Sequence, residues 1–382
     1  AWLRAPSRIW FVAAAALALG YAIAFGKPPA NLVAFGVVTP ITAVLCMVTA
    51  ARYLPRWGAV AALTALVLAD LWMVDATLVE GRSPEAVFAE NGLGAYLAQQ
   101  MDGEPFRVYS PSYSLPRHIA AHYGLETAGG VDPLYLEEYA AFMEVASGVP
   151  CQGYGETVPA LDGDGPVALV NRDAVPCPVL LGLLNVRYVA AEFPVTAEGL
   201  CEVARFGSTY LYENTHVLPR ALVVGQVEPV ESFDMALEWV QTHDVAHAAA
   251  VESGRPLPPP APPKRGGVPF EVQAEVAWVR RSPNRLVLDV TLDCPGFLVL
   301  SQVWYPGWRA GVDGQPATVW RADGVLSGVY LEPGGHTVSF AYRPQLACVG
   351  GCISGITGVA LCLGTLSRAW KAKPISVSKR YF

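Results

Sequence analysis

The chain has 382 residues, of which 26 are Lys or Arg and 33 are Asp or Glu, giving a net charge of −7. Apolar residues reach 53%, charged residues only 15%, and the mean hydropathy is +0.33. This balance excludes a disordered chain, is too poor in charge for an ordinary soluble enzyme, and offers no basic domain for nucleic acid.

The apolar residues gather in four runs: 9–26, 31–51, 57–74 and 346–366. About 20 apolar residues cross a hydrocarbon core, so each run is expected to span a membrane. A cleaved signal peptide could account for the first run alone, but not for the second and third. The expected fold is a membrane α-helical bundle of four spans carrying an extracytoplasmic mixed α/β domain and a C-terminal antiparallel β-sandwich. Ten of the 26 basic residues but one of the 33 acidic residues lie outside 75–345. That segment therefore carries −16 against +9 for the rest. By the positive-inside rule both termini are expected in the cytoplasm, with 75–345 outside. The first residue is Ala, which suits a processed chain or a piece of a longer one.

In chain order, residues 1–74 hold three expected spans, and 75–253 reads as the α/β domain. Within it, Pro84 to Gln100 has helical apolar spacing, and Phe106 to Tyr109 is a short strand. Asp132 to Ala146 opens like a capped helix, and Leu180 to Ala190 runs from a helix end into a buried strand. Thr209 to Tyr212 and Ala221 to Val224 are strands, and Ser232 caps a helix to Thr242. Residues 254–269 form a Pro-rich linker. Residues 270–345 read as the β-sandwich, with Asp313-Gly314 and Gly334-Gly335 as hairpin turns. A last span, 346–366, and a basic cytoplasmic tail, 367–382, follow.

Of the eight cysteines, Cys46, Cys348, Cys352 and Cys362 fall in apolar runs and read as small packing residues. The outer four, Cys151, Cys177, Cys201 and Cys294, allow three pairings, of which Cys151 with Cys177 is the favoured disulfide. No spacing suggests a metal site, and no motif calls for a cofactor.

The ordered series Trp304-Tyr-Pro-Gly-Trp-Arg-Ala310, Val312-Asp-Gly314, Arg321-Ala-Asp323 and Phe340-Ala-Tyr-Arg-Pro344 resembles the C-terminal region of YfhO-type bacterial membrane proteins. Upstream phrases agree, among them Phe106-Arg-Val-Tyr109, Leu184-Asn-Val-Arg-Tyr188 and Leu218-Pro-Arg220. That family belongs to the GT-C-like polytopic glycosyltransferases. The resemblance implies a role in moving a sugar from a lipid-linked donor to a cell-envelope acceptor. It also implies a catalytic acid in the first outer loop, yet the loop expected here, Lys27 to Asn31, has none. The chain thus reads as a C-terminal portion without the catalytic half, and no catalytic residue is carried over. The alternative is a non-catalytic, membrane-anchored carbohydrate-binding or scaffold protein. The expected partners are the lipid bilayer, a lipid-linked sugar and an envelope glycan.

Three sets of candidate substrate-facing residues follow. Asp70, the one acid in an expected span, reads as a substrate-facing acid or as an interfacial acid beside Asp75. Arg117, His118, His122, Tyr123 and Asp132 form a dense polar group that could hold a sugar or phosphate, or simply a solvated loop with Asp132 capping a helix. Trp304, Tyr305 and Trp308, with Trp320, read as a sugar-stacking platform or as ordinary sandwich packing.

Overall fold

The computed structural model describes residues 55–78, 91–101, 104–151, 155–161, 165–253 and 272–371, with single positions at 41, 42, 44, 45, 53, 81 and 83. The chain divides into two compact units, Ala1–Ala89 and Glu90–Phe382.

In the first unit, helix α1 runs Arg56–Leu78. Its apolar stretch is Val60–Ala69. Those residues rise about 15 Å, half of a hydrocarbon core of about 30 Å. Among the described residues one helix, Gln345–Gly364, is long and apolar enough to cross a membrane. This corrects the four-span bundle. The runs at 9–26 and 31–51 lie outside the described residues, apart from helical positions 41, 42, 44 and 45. So do the expected linker at 254–269 and most of the basic tail. The described protein is instead rich in sheet, and a multi-pass helical topology is not retained.

The second unit places its helices as α2 Gly92–Gln99, α3 Arg117–His122, α4 Glu137–Ser147, α5 Pro178–Leu183, α6 Phe233–Thr242 and α7 Gln345–Lys371. Asn91 caps α2 through Gly94 N at 2.8 Å, and Ser232 caps α6 through Met235 N at 3.3 Å.

The first sheet contains β1 Arg107–Tyr109, β2 Glu126–Thr127, β5 Val186–Ala191, β6 Leu200–Phe206 and β7 Thr209–Asn214, in the order β2-β1-β5-β7-β6. Between them, β3 Gly130–Val131 and β4 Thr157–Val158 form a separate antiparallel pair. The second sheet contains β8 Ala221–Val224, β9 Gln226–Val230, β10 Ala248–Glu252, β13 Gly296–Val303, β16 Trp320–Ala322 and β17 Leu326–Leu331, in the order β8-β13-β17-β16-β10-β9. The third contains β11 Ala274–Ser282, β12 Arg285–Leu292, β14 Trp308–Val312, β15 Gln315–Ala317 and β18 Gly334–Tyr342, in the order β11-β12-β18-β14-β15.

Side-chain alternation stacks these layers. In β12, Leu286, Leu288, Val290 and Leu292 face inward at every second position. They meet Leu298, Leu300, Val329 and Leu331 of the second sheet, closing the sandwich. The other face of the second sheet, with Phe297, Val299 and Leu326, packs with α4 and α5 and with Val186 and Val189 of the first sheet. The far face of the first sheet, through Val108, Tyr188, Ala190 and Leu211, is covered by α2 and α3. Strand β13 is buried on both faces, which explains its unbroken apolar run Phe297-Leu-Val-Leu300. Each such buried Leu or Phe contributes about 1.5–3 kcal/mol of transfer free energy.

The second sheet combines strands from both sides of the Pro-rich segment. β8, β9 and β10 come from the part read as α/β, and β13, β16 and β17 from the part read as sandwich. A strand buried on both faces needs neighbours at both edges, and β8 supplies one to β13. The sandwich therefore begins earlier in the chain than composition indicates.

Turn chemistry explains two further points. Asp313 and Gly314 both have positive φ, at 52° and 78°, which joins β14 to β15 as expected for an Asp-Gly hairpin. Gly334-Gly335 is different: β17 pairs with β13 and β16, whereas β18 pairs with β12 and β14. The chain there crosses between sheets, with Gly334 at φ 129°. After β18, Tyr342 to Pro344 leads into α7, whose side chains from 345 to 364 are exposed throughout.

Candidate ligand-binding cleft

A cleft of about 270 Å³ lies where β1, the β3–β4 pair and the lead into α4 converge. Asp132, Tyr135, Tyr139, Arg107 and Val303 line it, with Gly129 and Gly130 supplying backbone. Asp132 Oδ1 accepts from Leu134 N at 2.9 Å, so the Asp-Pro step forms a turn, and α4 starts only at Glu137. Tyr135 and Tyr139 are four residues apart. Tyr139 Oη donates to the Ala128 carbonyl at 2.6 Å, and burial pushes its phenol pKa up, keeping it a neutral donor. A Cβ on Gly129 would meet the Val158 carbonyl oxygen at 2.8 Å, and one on Gly130 would run into the Arg117 guanidinium. These glycines let two strands and an arginine converge beside the cleft.

The same two chain segments build a second polar group from the adjacent residues, Glu138 before Tyr139 and Trp304 after Val303. Arg321 of β16 lies 3.3 Å from Glu138 Oε1 and 3.5 Å from Glu252 Oε1. Its guanidinium sits 4.5 Å from the centre of the Trp304 ring. Burial raises the Glu252 pKa; Arg321 pulls it down and Glu138 adds to the rise. Sequence spacing does not reveal this group, because Glu138 and Arg321 are 183 residues apart.

Of the expected polar group, only Asp132 lines the cleft. Arg117 Nη1 donates to the Val131 carbonyl at 2.7 Å, tying α3 to β3. His118 and His122 are exposed on α3, and Tyr123 lies over Gly94 of α2. The aromatic platform is not formed. Trp308 is buried in the sandwich core, 5.4 Å from the Tyr342 ring, because it begins β14 facing inward. Trp304 is occupied by Arg321, and Tyr305 alone is well exposed, after which Pro306-Gly307 turns the chain. Asp70 lies on α1 in the other unit. The expected disulfide is also absent: Cys151 and Cys177 are free thiols, each packed against the α4–α5 core as a small apolar side chain. Among the described residues no three His, Cys, Asp or Glu side chains group as a metal site.

Comparison of the chain with family models, curated proteins and solved structures found no match.

Proposed function

We propose that this chain is a membrane-anchored ligand-holding protein whose cleft at Asp132, Tyr135 and Tyr139 binds a glycan on the outer side of the cytoplasmic membrane. Its resemblance to YfhO-type proteins assigns that glycan to a cell-envelope pathway in which a sugar leaves a lipid-linked donor for an acceptor. The role proposed here is binding; no group is assigned to bond making.

The observation that carries the reading is the cleft lining. A carboxylate, two phenols and backbone from two glycines surround a space of sugar-ring scale. Sugars are recognised by such mixtures, in which hydroxyls meet acceptors and donors and the C–H faces meet aromatic rings. The exposed apolar helix Gln345–Gly364 supports the anchoring. The acidic middle segment supports the outer placement.

The test is a glycan array probed with the full chain in detergent micelles, alongside Asp132→Ala and Tyr135→Ala. The expected result is selective binding to one glycan class, weakened about tenfold or more by Asp132→Ala, the loss of about one hydrogen bond to a charged group, and several-fold by Tyr135→Ala, the loss of a neutral one with its ring contact. Binding to no glycan, or binding unchanged in both variants, contradicts the reading.

A further inference from the structure

A second, larger cavity of about 410 Å³ opens where β8, an edge of the second sheet, meets β11, an edge of the third. Val276 and Trp278 of β11 form an apolar wall, and Arg220 and His247 are polar members of the lining. The exposed Glu104 stands at its rim, and the His247 ring is held by Asp244 at 2.7 Å.

Arg220 belongs to a group in which three guanidiniums share one carboxylate. Glu126 Oε2 lies 2.8 Å from Arg220 Nη2 and 3.7 Å from Arg107 Nε, and its Oε1 lies 3.2 Å from Arg281 Nη1. The group thus carries a local charge of about +2. Arg107 is otherwise satisfied, through the Leu184 carbonyl at 2.7 Å and the Ser301 hydroxyl and carbonyl, both at 3.0 Å. Arg220 is not: it is 8% exposed and its buried Nη1 makes no hydrogen bond. Burial, and then the neighbouring Arg107, push its pKa down to about 9. Keeping surplus cations out of water is costly unless an anion balances them.

We propose that this cavity binds the phosphate end of an organic phosphate monoester, with Arg220 as its charge partner in the lining, Arg281 adding to the positive field from outside the lining where it shares Glu126, and Trp278 against its organic body. A phosphate monoester carries about −1.5 to −2 at pH 7, which matches the surplus. The unbonded Nη1 of Arg220 suits one of its oxygens. A carboxylate offers half that charge.

The probes are phenyl phosphate, inorganic phosphate, phenyl sulfate and benzoate, titrated calorimetrically into the full chain in detergent micelles. Saturable binding of phenyl phosphate is expected, about tenfold or more tighter than the two monoanions, with inorganic phosphate weaker for want of the Trp278 contact. Arg281→Gln, which removes a part-exposed charge beside the cavity rather than a direct contact, weakens it several-fold. Arg220→Met abolishes it. Glu126→Gln tightens it several-fold, because the competing carboxylate is gone. A group that only braces the three sheets gives the opposite pattern. In that case phenyl phosphate shows no saturable heat, or its affinity is unmoved by Arg281→Gln and Glu126→Gln, and either outcome overturns the proposal.

Discussion

Replacing Asp323 by Asn should raise the stability of the protein at pH 8 and lower it at pH 4. Asp323 is 1% exposed and sits at φ 51° in the turn between β16 and β17. Its Oδ1 accepts from Ala250 N at 2.9 Å, and its own N–H donates to the Ala250 carbonyl at 2.7 Å, pinning β10 to the turn. Its Oδ2 is buried without a partner. Burial pushes the carboxyl pKa up to about 7 from 3.8. Because the folded-state value is raised, the unfolded chain ionises first as pH rises. Stability therefore falls between about pH 4 and pH 7 and is level above, where the penalty is complete. Three pKa units correspond to about 4 kcal/mol. Asparagine keeps the Oδ1 acceptor and tolerates positive φ, but its amide nitrogen inherits the partnerless position at a cost of about 1–3 kcal/mol. The net gain at pH 8 is then about 1–3 kcal/mol, or several degrees in Tm. Thermal unfolding of both proteins from pH 4 to pH 8.5 measures it, and shared carboxylates cancel in the difference. A difference that is independent of pH, or a variant less stable at pH 8, refutes the reasoning.

Three further outcomes follow from the packing and the charges. Gly182→Ala should cost about 3 kcal/mol or more, since a Cβ there collides with the His216 carbonyl oxygen. Gly207→Ala, at φ 62° with open space around it, should cost only about 1–2 kcal/mol of backbone strain. Equal losses in urea unfolding would contradict that ranking. Arg321→Met should cost about 1–2 kcal/mol at pH 7, because Glu138 and Glu252 lose their common cation. The loss should shrink as pH falls and Glu252 takes up its proton; a loss constant from pH 8 to pH 4 goes against this. His336, hydrogen-bonded to Asp313 at 2.7 Å, should titrate above its ordinary 6.5. Its stabilising contribution is thus present at low pH and fades as pH rises past that raised value. An NMR midpoint at or below 6.5, or one unmoved by Asp313→Asn, would contradict the pairing.

Local elements are largely readable from the sequence because local rules decide them. The Ser232 cap, the Asp313-Gly314 turn, the alternation in β12 and the apolar run of β13 each follow from a few neighbouring residues. Membership of a sheet does not. β10 reads as a small apolar segment, Ala248-Ala-Ala-Val251, and nothing in it states that it pairs parallel with β9 and antiparallel with β16. The apolar run at 57–74 misleads because composition alone ignores where the unbroken stretch ends, at Asp70. Asp132 can be picked out by its Asp-Pro step, whereas Arg107 stands in the sequence only as part of a short expected strand and Arg220 only as part of the phrase Leu218-Pro-Arg220. Their convergence on Glu126 depends on three sheets meeting.

The central claim is an anchored protein whose glycan-binding lobe faces away from the cytoplasm. Cys201 is an exposed free thiol on β6 and reports on it directly. Intact cells expressing the chain are treated with a membrane-impermeant maleimide, with Cys201→Ser as the control. The account predicts that intact cells label the chain and that most of this label disappears in the control. Labelling of Cys201 only after the cells are broken open would contradict it.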